Sequence, residues 1–296
     1  MKQAVSGVGL QLRLGNSITE LAQKALRLEL SSFQCFLTVQ ETDRSFILRK
    51  QDQESFVALR EEHFGPLFLH GSYMSNLADS SYLRHPRLEH EVRLATQLGF
   101  THIILHPGAY SANCVREDAL DSVARVVNHF LSRTSTIIIV LENIAHGKRA
   151  VGGALEDFYH ILARIDKPER LQFCLDTAHA HSFGYDLITS PGRARFLEEF
   201  DRLCGFDRLA LVHLNDTARP RGDHVDRHCA VGAGVLGIHA LPALCADHRL
   251  AEVPFLLEMP ELSEHDECSI VKQVVSWRNA VNIVPCMPEE VVNATR

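Results

Sequence analysis

Short β-rich runs and longer amphipathic stretches alternate eight times along this chain of 296 residues. We interpret the β-rich runs as strands over residues 4–12, 32–37, 66–70, 102–106, 136–142, 171–176, 209–215 and 254–258. The run 136–142 is the clearest of them, because consecutive β-branched residues are typical of a strand buried on both faces. Regular alternation of this kind predicts repeated βα units and a parallel sheet.

The amphipathic stretches are predicted to form helices. They cover residues 17–27, 53–63, 87–98, 118–132, 155–165, 192–203, 238–247 and 267–278. Asn16 or Ser17 is placed to cap the first helix and Gly99 to end the third. Eight strand–helix pairs favour an α/β fold, a closed (β/α)8 TIM barrel. We expect one domain over residues 1–296, with a flexible tail at about 289–296, and an open doubly wound sheet is the alternative.

Composition excludes several classes of protein. No apolar run approaches the roughly 20 residues that cross a bilayer, and no signal peptide follows Met1, which predicts an intracellular, cytoplasmic protein. The 8 cysteines include no C-x-x-C pair and are expected to be reduced and mostly buried. A net charge of −7 argues against a generally basic nucleic-acid surface, while 17 histidines are unusually many.

Six of the predicted strands end, or nearly end, on a side chain that can bind a metal. These residues are His70, His106, Glu142, Asp176, His213 and Glu258. In a parallel barrel the carboxyl ends of all strands lie on one face, where enzymes of this fold place their sites. We therefore expect the six side chains to converge. Taken singly, each has a structural alternative, such as an ion pair with an arginine or a place in the core.

Three further candidates lie in predicted loops: His179, three residues after Asp176, and the pair Asp226 and His228. Alternate side chains of an extended segment point to the same side, so Asp226 and His228 can bind one ion. Five histidines and four carboxylates exceed the three protein ligands of a single catalytic zinc. Four buried carboxylates without metal would also repel one another. The set therefore predicts several metal ions.

The segments around these residues resemble the endonuclease IV family of apurinic/apyrimidinic endonucleases, which are (β/α)8 barrels with a trinuclear zinc site. They are HGSYMSNLA from His70, LHPGAY around His106, LENIAHG around Glu142, CLDTAHAHSFGYD around Asp176 and His179, HLND from His213, VDRHCAVGAGVLG around Asp226 and His228, and LLEMP around Glu258. They follow the family's order from the third strand to the eighth. All nine ligand positions carry the expected residue type.

The resemblance implies three zinc ions, with manganese as the alternative at one site. The implied ligands are His70 and His106 for the first zinc, Asp176, His213 and Glu258 for the second with Glu142 bridging the two, and His179, Asp226 and His228 for the third. It also gives Glu142 the catalytic role of holding a metal-bound hydroxide. Two zinc ions about 4 Å apart can share and acidify a water, which suits in-line hydrolysis of a phosphodiester.

Residues beside the ligands are candidates for supporting roles. Asn143 and Asn215 either hold the metal-binding side chains in place by hydrogen bonds or close the strand ends. Arg227 either meets a phosphate or pairs with a carboxylate. By resemblance, Tyr73 and Met74 match the substrate-binding loop with which the family enters the DNA base stack.

Four positions depart from the family pattern. Glu41 stands near the arginine of a basic, DNA-contacting loop, and Gly71 replaces the aspartate common after the first histidine. The first strand, around residues 8–12, lacks the usual histidine, and Ala233 stands where Gly-Glu-Gly is usual. None of these positions is a ligand. The departures therefore concern DNA binding more than catalysis.

The resemblance implies a zinc-dependent hydrolase of DNA repair that cuts damaged double-stranded DNA 5′ to an abasic site and leaves a 3′-hydroxyl. It implies a monomer without an obligate protein partner and without membrane association. One alternative is a divalent-metal sugar isomerase or epimerase of the xylose isomerase-like superfamily, which lacks the third metal site. The other is a metal-binding relative with a different nucleic-acid substrate or a protein partner, which the acidic Glu41 favours.

Overall fold

The structure is a computed structural model that describes residues 7–39, 44–79, 85–145 and 147–280. Three features of the sequence lie outside these ranges: residues 4–6 of the first predicted strand, the acidic position Glu41 and the predicted tail at 289–296. Within the described part of the chain, no helix is both long and apolar enough to cross a membrane.

Eight parallel strands close into a barrel, in the order β1-β10-β9-β8-β7-β6-β5-β2. The strands of the described residues are β1 (Val8–Leu12), β2 (Phe33–Cys35), β3 (Thr38–Val39), β4 (Arg44–Ser45), β5 (Phe68–His70), β6 (His102–Leu105), β7 (Ile138–Glu142), β8 (Leu171–Asp176), β9 (Leu209–His213) and β10 (Phe255–Leu257). The short antiparallel pair β3 and β4 stands apart from the barrel. The predicted barrel is confirmed, and the open sheet is wrong because β1 pairs with both β2 and β10.

Helices follow the barrel strands and cover them. In the described residues they are α1 (Ile18–Arg27), α2 (Lys50–His63), α3 (Pro86–Leu98), α4 (Arg116–Arg133), α5 (Glu156–Leu162), α6 (Thr177–Phe183), α7 (Ser190–Cys204), α8 (Gly237–Cys245) and α9 (Glu264–Asn279). The eight predicted helices are confirmed within a few residues at their ends. Helix α6 was not predicted, so the placement of His179 in a loop is wrong. Asp176 caps α6 by accepting a hydrogen bond from the backbone N–H of His179.

Six apolar side chains form a cluster inside the barrel, directly below the polar strand ends. This cluster consists of Phe68, Ile104, Val140, Cys174, Leu211 and Leu256. Each member stands two residues before one of the six strand-end ligand candidates. Because side chains of a strand alternate between its faces, residues two apart point to the same side. The six candidates must therefore face the barrel axis, above an apolar floor.

The N-terminus of α1 is capped twice. Ser17, the predicted cap, accepts hydrogen bonds from the N–H groups of Thr19 and Glu20. Asp52 of α2 accepts further bonds from the N–H groups of Ile18 and Thr19, at 3.0 and 3.1 Å, and from the Ser17 hydroxyl. A carboxylate is favourable at this end of a helix because it satisfies free N–H groups and complements the helix dipole.

We expect Asp52→Ala to lower the free energy of unfolding by about 1–2 kcal/mol at neutral pH, the usual cost of losing such a cap. Burial raises the pKa of Asp52, but hydrogen bonds from Ser17, Thr19 and Ile18 outweigh it and leave the pKa below its ordinary value. The stabilisation is therefore present above that ordinary value and is lost as the pH falls through the lowered pKa. Urea unfolding of both proteins at neutral and strongly acidic pH checks this. An equal difference at both would contradict it.

Candidate metal centre

The barrel places the six strand-end candidates around one cavity mouth. His70, Glu142, Asp176 and His213 are the last residues of β5, β7, β8 and β9. His106 and Glu258 directly follow β6 and β10. All six side chains are at least nine-tenths buried. The structure thus brings these six side chains together at one end of the barrel.

Glu142 lies at the centre of the cluster. Its Oε2 atom is 3.2 Å from Nε2 of His70 and 3.3 Å from Nε2 of His106. Its Oε1 atom is 3.0 Å from Nδ1 of His213 and 3.2 Å from Nδ1 of His179. One carboxylate therefore faces two groups of histidines, one group on each oxygen, as a carboxylate that bridges two metal ions would.

A second group of ligand atoms surrounds His213. Its Nδ1 atom lies 3.6 Å from Oε2 of Glu258 and 3.8 Å from Oδ2 of Asp176, besides its contact with Glu142. One ligand atom from each of these four residues lies within 4.8 Å of the other three. Three carboxylates and one imidazole can thus bind the same ion.

The third group joins α6 to the long segment between β9 and α8. Nε2 of His179 lies 3.1 Å from Oδ1 of Asp226, and Nε2 of His228 lies 3.3 Å from the same oxygen. His228 also approaches Oδ2 of Asp176 at 3.7 Å. The structure therefore brings all nine predicted ligands into one connected cluster.

Burial and neighbouring charges oppose each other in this cluster. Burial lowers the pKa of His179, but Asp176 and Asp226 raise it well above its ordinary value. His106 behaves differently, because burial lowers its pKa to about 4 despite the nearby Glu142. Burial raises the pKa of Glu142, yet His213 and His106 hold it well below its ordinary value. The buried carboxylates thus need cationic neighbours to remain ionised.

The residues present fit divalent metal ions. Imidazole nitrogens and carboxylate oxygens are ligands that zinc prefers. The buried Nε2 atom of His228 makes no hydrogen bond within the described residues and points toward Asp226, as a ligand atom would. Cys174 lies within the same reach of Glu142 and His213, but burial raises the pKa of its thiol to about 12.

The two asparagines have different surroundings. Nδ2 of Asn215 donates to Asp176 Oδ2 at 2.5 Å and to Glu258 Oε2 at 3.1 Å. Asn143 contacts the backbone of Asp176 instead, through its amide oxygen and nitrogen at 2.6 and 3.1 Å. Asn215 thus lies against two ligand carboxylates, whereas Asn143 joins the ends of β7 and β8.

Gln34 is a site residue that sequence reasoning missed. It is fully buried in β2, and its Oε1 atom accepts from Nε2 of His213 at 2.8 Å. Its Nε2 atom donates to Glu258 and to Gln11 of β1, both at 2.6 Å. One amide therefore orients two ligands and fixes which nitrogen of His213 carries the proton. The available signal was a polar residue between the apolar Phe33 and Cys35.

A cavity of about 490 Å³ opens above the cluster, and Tyr73, Arg227, His228 and Glu258 are among its lining residues. The Tyr73 ring packs on the imidazoles of His70 and His106, with centroids 5.0 and 4.9 Å apart. Met74 is 73% exposed beside it. Within the described residues, no carboxylate pairs with the exposed Arg227. The mouth of the site thus carries an aromatic ring, an exposed thioether and a guanidinium.

The structure shows the contacts of two positions that depart from the family pattern, Gly71 and the first strand. A Cβ atom on Gly71 would lie only 2.5 Å from Cδ2 of Leu105, so a larger residue here requires Leu105 to move. In the first strand, Gln11 reaches the site by hydrogen bonding to Gln34. Both positions are therefore part of the packing around the ligands.

The comparisons with known proteins point to one family of barrel proteins. A family model described as xylose isomerase-like TIM barrel matches residues 22–279. A protein of Halorhodospira halophila named "Probable endonuclease 4" is 34% identical over 217 residues, which cover 71% of this chain and 73% of that protein. An apurinic-apyrimidinic endonuclease of Caenorhabditis elegans is 31% identical over 220 residues, which cover 72% of this chain. This match spans 56% of the nematode protein's own length.

A solved structure is similar over nearly the whole chain. The crystal structure of endonuclease IV from Thermus thermophilus superposes with a TM-score of 0.77 and 29% sequence identity. The match covers 92% of this chain and 99% of the Thermus chain. The similarity therefore extends over nearly the full length of both chains.

Proposed function

This chain belongs to the endonuclease IV family of apurinic/apyrimidinic endonucleases, within the xylose isomerase-like TIM barrels, and from this premise we propose how it acts. It hydrolyses the phosphodiester of damaged double-stranded DNA 5′ to an abasic site and leaves a 3′-hydroxyl. Three zinc ions on its nine ligands support this reaction, with manganese as the alternative at one site. The protein acts as a monomer. The observation that carries the proposal is the cluster of nine ligands around Glu142.

In this proposal each of the three ions takes one group of the ligands. His70 and His106 share one oxygen of Glu142, while His213 lies at the other oxygen, near Asp176 and Glu258. His179 and His228 share Asp226. When bound, the ions supply Lewis-acid chemistry, since they acidify an attacking water and neutralise charge on the phosphate and the leaving oxygen.

The side chains of this protein position that chemistry. Asn215 and Gln34 hold the carboxylates of Asp176 and Glu258, so that these ligands do not reorient. The ring of Tyr73 covers His70 and His106 and excludes water from that side. Met74 is exposed at the tip of the same loop, where an apolar side chain can enter a base stack next to a missing base.

The His179, Asp226 and His228 group argues against the isomerase alternative. An isomerase of this superfamily uses one or two divalent ions, and a third set of ligands would serve no purpose there. Here the third set lies against Asp176, which also belongs to the second group. This third group of ligand-type side chains supports a site for three ions, which suits phosphate-ester hydrolysis.

An incision assay tests the proposal. We expect purified protein to cut a duplex with one abasic site on the 5′ side, to lose activity with a chelator and to contain about three zinc ions per chain. His106→Ala should abolish incision. His248→Ala, which removes an 88% exposed histidine from the barrel's outer surface, should not. No incision by fully zinc-loaded protein would refute the proposal, and one or two manganese ions without incision would favour an isomerase.

We expect Arg227→Ala to weaken binding of abasic duplex on the order of 10-fold and to lower the slope of log K against log salt by about 1. The reason is that its guanidinium lines the cavity above the ligands and is free to meet a phosphate. Fluorescence anisotropy at several salt concentrations measures both. Arg27→Ala is the control, because it removes the same charge from an exposed pair with Glu264 on the outer helices. An equal effect of the two substitutions would contradict a local phosphate contact.

A further inference from the structure

The carboxylate of Asp216 is fully buried directly after Asn215, and the mechanism above does not use it. Five backbone N–H groups donate hydrogen bonds to it, at 2.9–3.1 Å. The donors are Thr217 and Leu236 to Oδ1, and Gly232, Gly234 and Gly237 to Oδ2. Within the described residues no cationic side chain pairs with this carboxylate. Backbone dipoles, including those at the start of α8, compensate its charge instead.

These bonds close the segment between β9 and α8 into a loop whose two ends are tied together. The backbone oxygen of Asp216 accepts from Cys229 N at 2.9 Å. The hydroxyl of Thr217 donates to the backbone oxygen of Arg227 at 2.8 Å. Both attachments flank His228. The ligand segment 226–228 is thus held from the backbone, without help from a metal.

Glycine is required where the loop wraps around Asp216. A Cβ atom on Gly234 would lie 2.3 Å from Asp216 Oδ1 and 2.4 Å from the backbone oxygen of Thr217. Gly232 and Gly237 have positive φ angles of 89° and 53°. Gly234 is therefore required by the close approach of the backbone to the buried carboxylate, whereas Gly232 and Gly237 supply the positive φ angles with which the loop turns around it.

We propose that Asp216 is a positioning residue that forms the third metal's half-site, Asp226 and His228, before any metal binds. The proposal rests on the proposed function, which places a third ion at these ligands. A loop ordered in advance does not lose conformational entropy when the ion arrives, so binding is tighter. Asp216 acts through the backbone and touches neither the ion nor the DNA.

Two substitutions test the proposal in the full-length protein. Asp216→Asn replaces one accepting oxygen by an NH₂ group that faces N–H donors. Gly234→Ala keeps the carboxylate but displaces the loop. Asp52→Asn is matched to the first, since it also weakens a carboxylate that accepts backbone N–H groups, at the distant α1. Gly65→Ala is matched to the second, because its Cβ would meet only Ser31 O at 3.8 Å.

Two measurements test the variants: zinc affinity by chelator competition, and hydrogen exchange of the loop amides. Chelator competition with zinc-loaded protein should show one of the three zinc ions released 10- to 100-fold more easily in both test variants, the usual effect of losing a residue that supports a ligand. The other two sites and both controls should be unchanged. In metal-free protein, hydrogen exchange at the amides of Gly232, Gly234 and Gly237 should be protected in wild type and at least about tenfold faster in Asp216→Asn.

The possible outcomes distinguish failure of the pre-formed half-site from failure of the proposed function. Exchange in metal-free wild type that is unprotected until zinc is added would overturn the pre-formed half-site. Wild-type affinity at all three sites in both test variants would overturn it as well. A wild-type protein that binds no third zinc would refute the proposed trinuclear function, while the exchange data would still decide whether Asp216 orders the loop.

Discussion

Glu142→Gln is expected to reduce kcat/KM for incision at an abasic site by more than about 100-fold. Loss of a residue that only supports a metal ligand costs up to about 100-fold, and Glu142 is itself a proposed ligand. The four histidine nitrogens around this carboxylate lie 3.0–3.3 Å from its two oxygens. Glutamine has the same shape as glutamate but no charge. Its NH₂ group would replace one carboxylate oxygen beside imidazole nitrogens that are proposed metal ligands. The bridging position between two ions would be lost. Single-turnover incision together with metal analysis measures the effect.

Glu267→Gln is the matched control. Glu267 is also a shielded glutamate, but it pairs with Lys24 at 2.8 Å on the outer helices, far from the strand ends. Its variant should incise DNA at the wild-type rate. Glu142→Gln protein that keeps three zinc ions and works within tenfold of wild type would show that Glu142 does not bridge the metals.

Removal of metal is expected to lower the melting temperature markedly. A ligand at 1,000 times its Kd adds about 4 kcal/mol of stability per site. For a chain of this size, 1 kcal/mol corresponds to about 2 °C, so each zinc should raise Tm by about 8 °C. The physical reason is that the folded cluster gathers four buried carboxylates whose mutual repulsion the ions relieve. The shift should shrink as the pH falls, because protons compete with metal for the imidazoles.

Differential scanning fluorimetry with chelator, and again after zinc is restored, measures this shift. His106→Ala removes one ligand and should show a smaller shift, whereas His248→Ala, outside the cluster, should show the full one. A chelator effect below about 2 °C in protein shown to have been zinc-loaded would contradict metal binding by the folded cluster.

Much of the barrel could be predicted from the sequence because its signals are local. Consecutive β-branched residues indicate the strand at 138–142, and Ser17 and Gly99 mark helix ends through their own hydrogen-bonding and backbone preferences. The six strand-end candidates followed from the same logic, since parallel strands place all their carboxyl ends on one face. Helix α6 was missed because its seven residues are short for a periodicity signal, although Asp176 and Gly184 mark its two ends.

The sequence alone thus determined the order of strands and helices and which residue types stand at the strand ends. Only the tertiary structure decided which of them lie within reach of one another, that Gln34 reaches His213 and Glu258 across the barrel, and that Asp216 accepts hydrogen bonds from five N–H groups. These contacts join residues 179, 224 and up to 21 positions apart in the chain. No local pattern encodes these contacts. The partners of Gln34 meet it only when β1 closes the barrel between β10 and β2, and those of Asp216 meet it only when the segment between β9 and α8 folds back on itself.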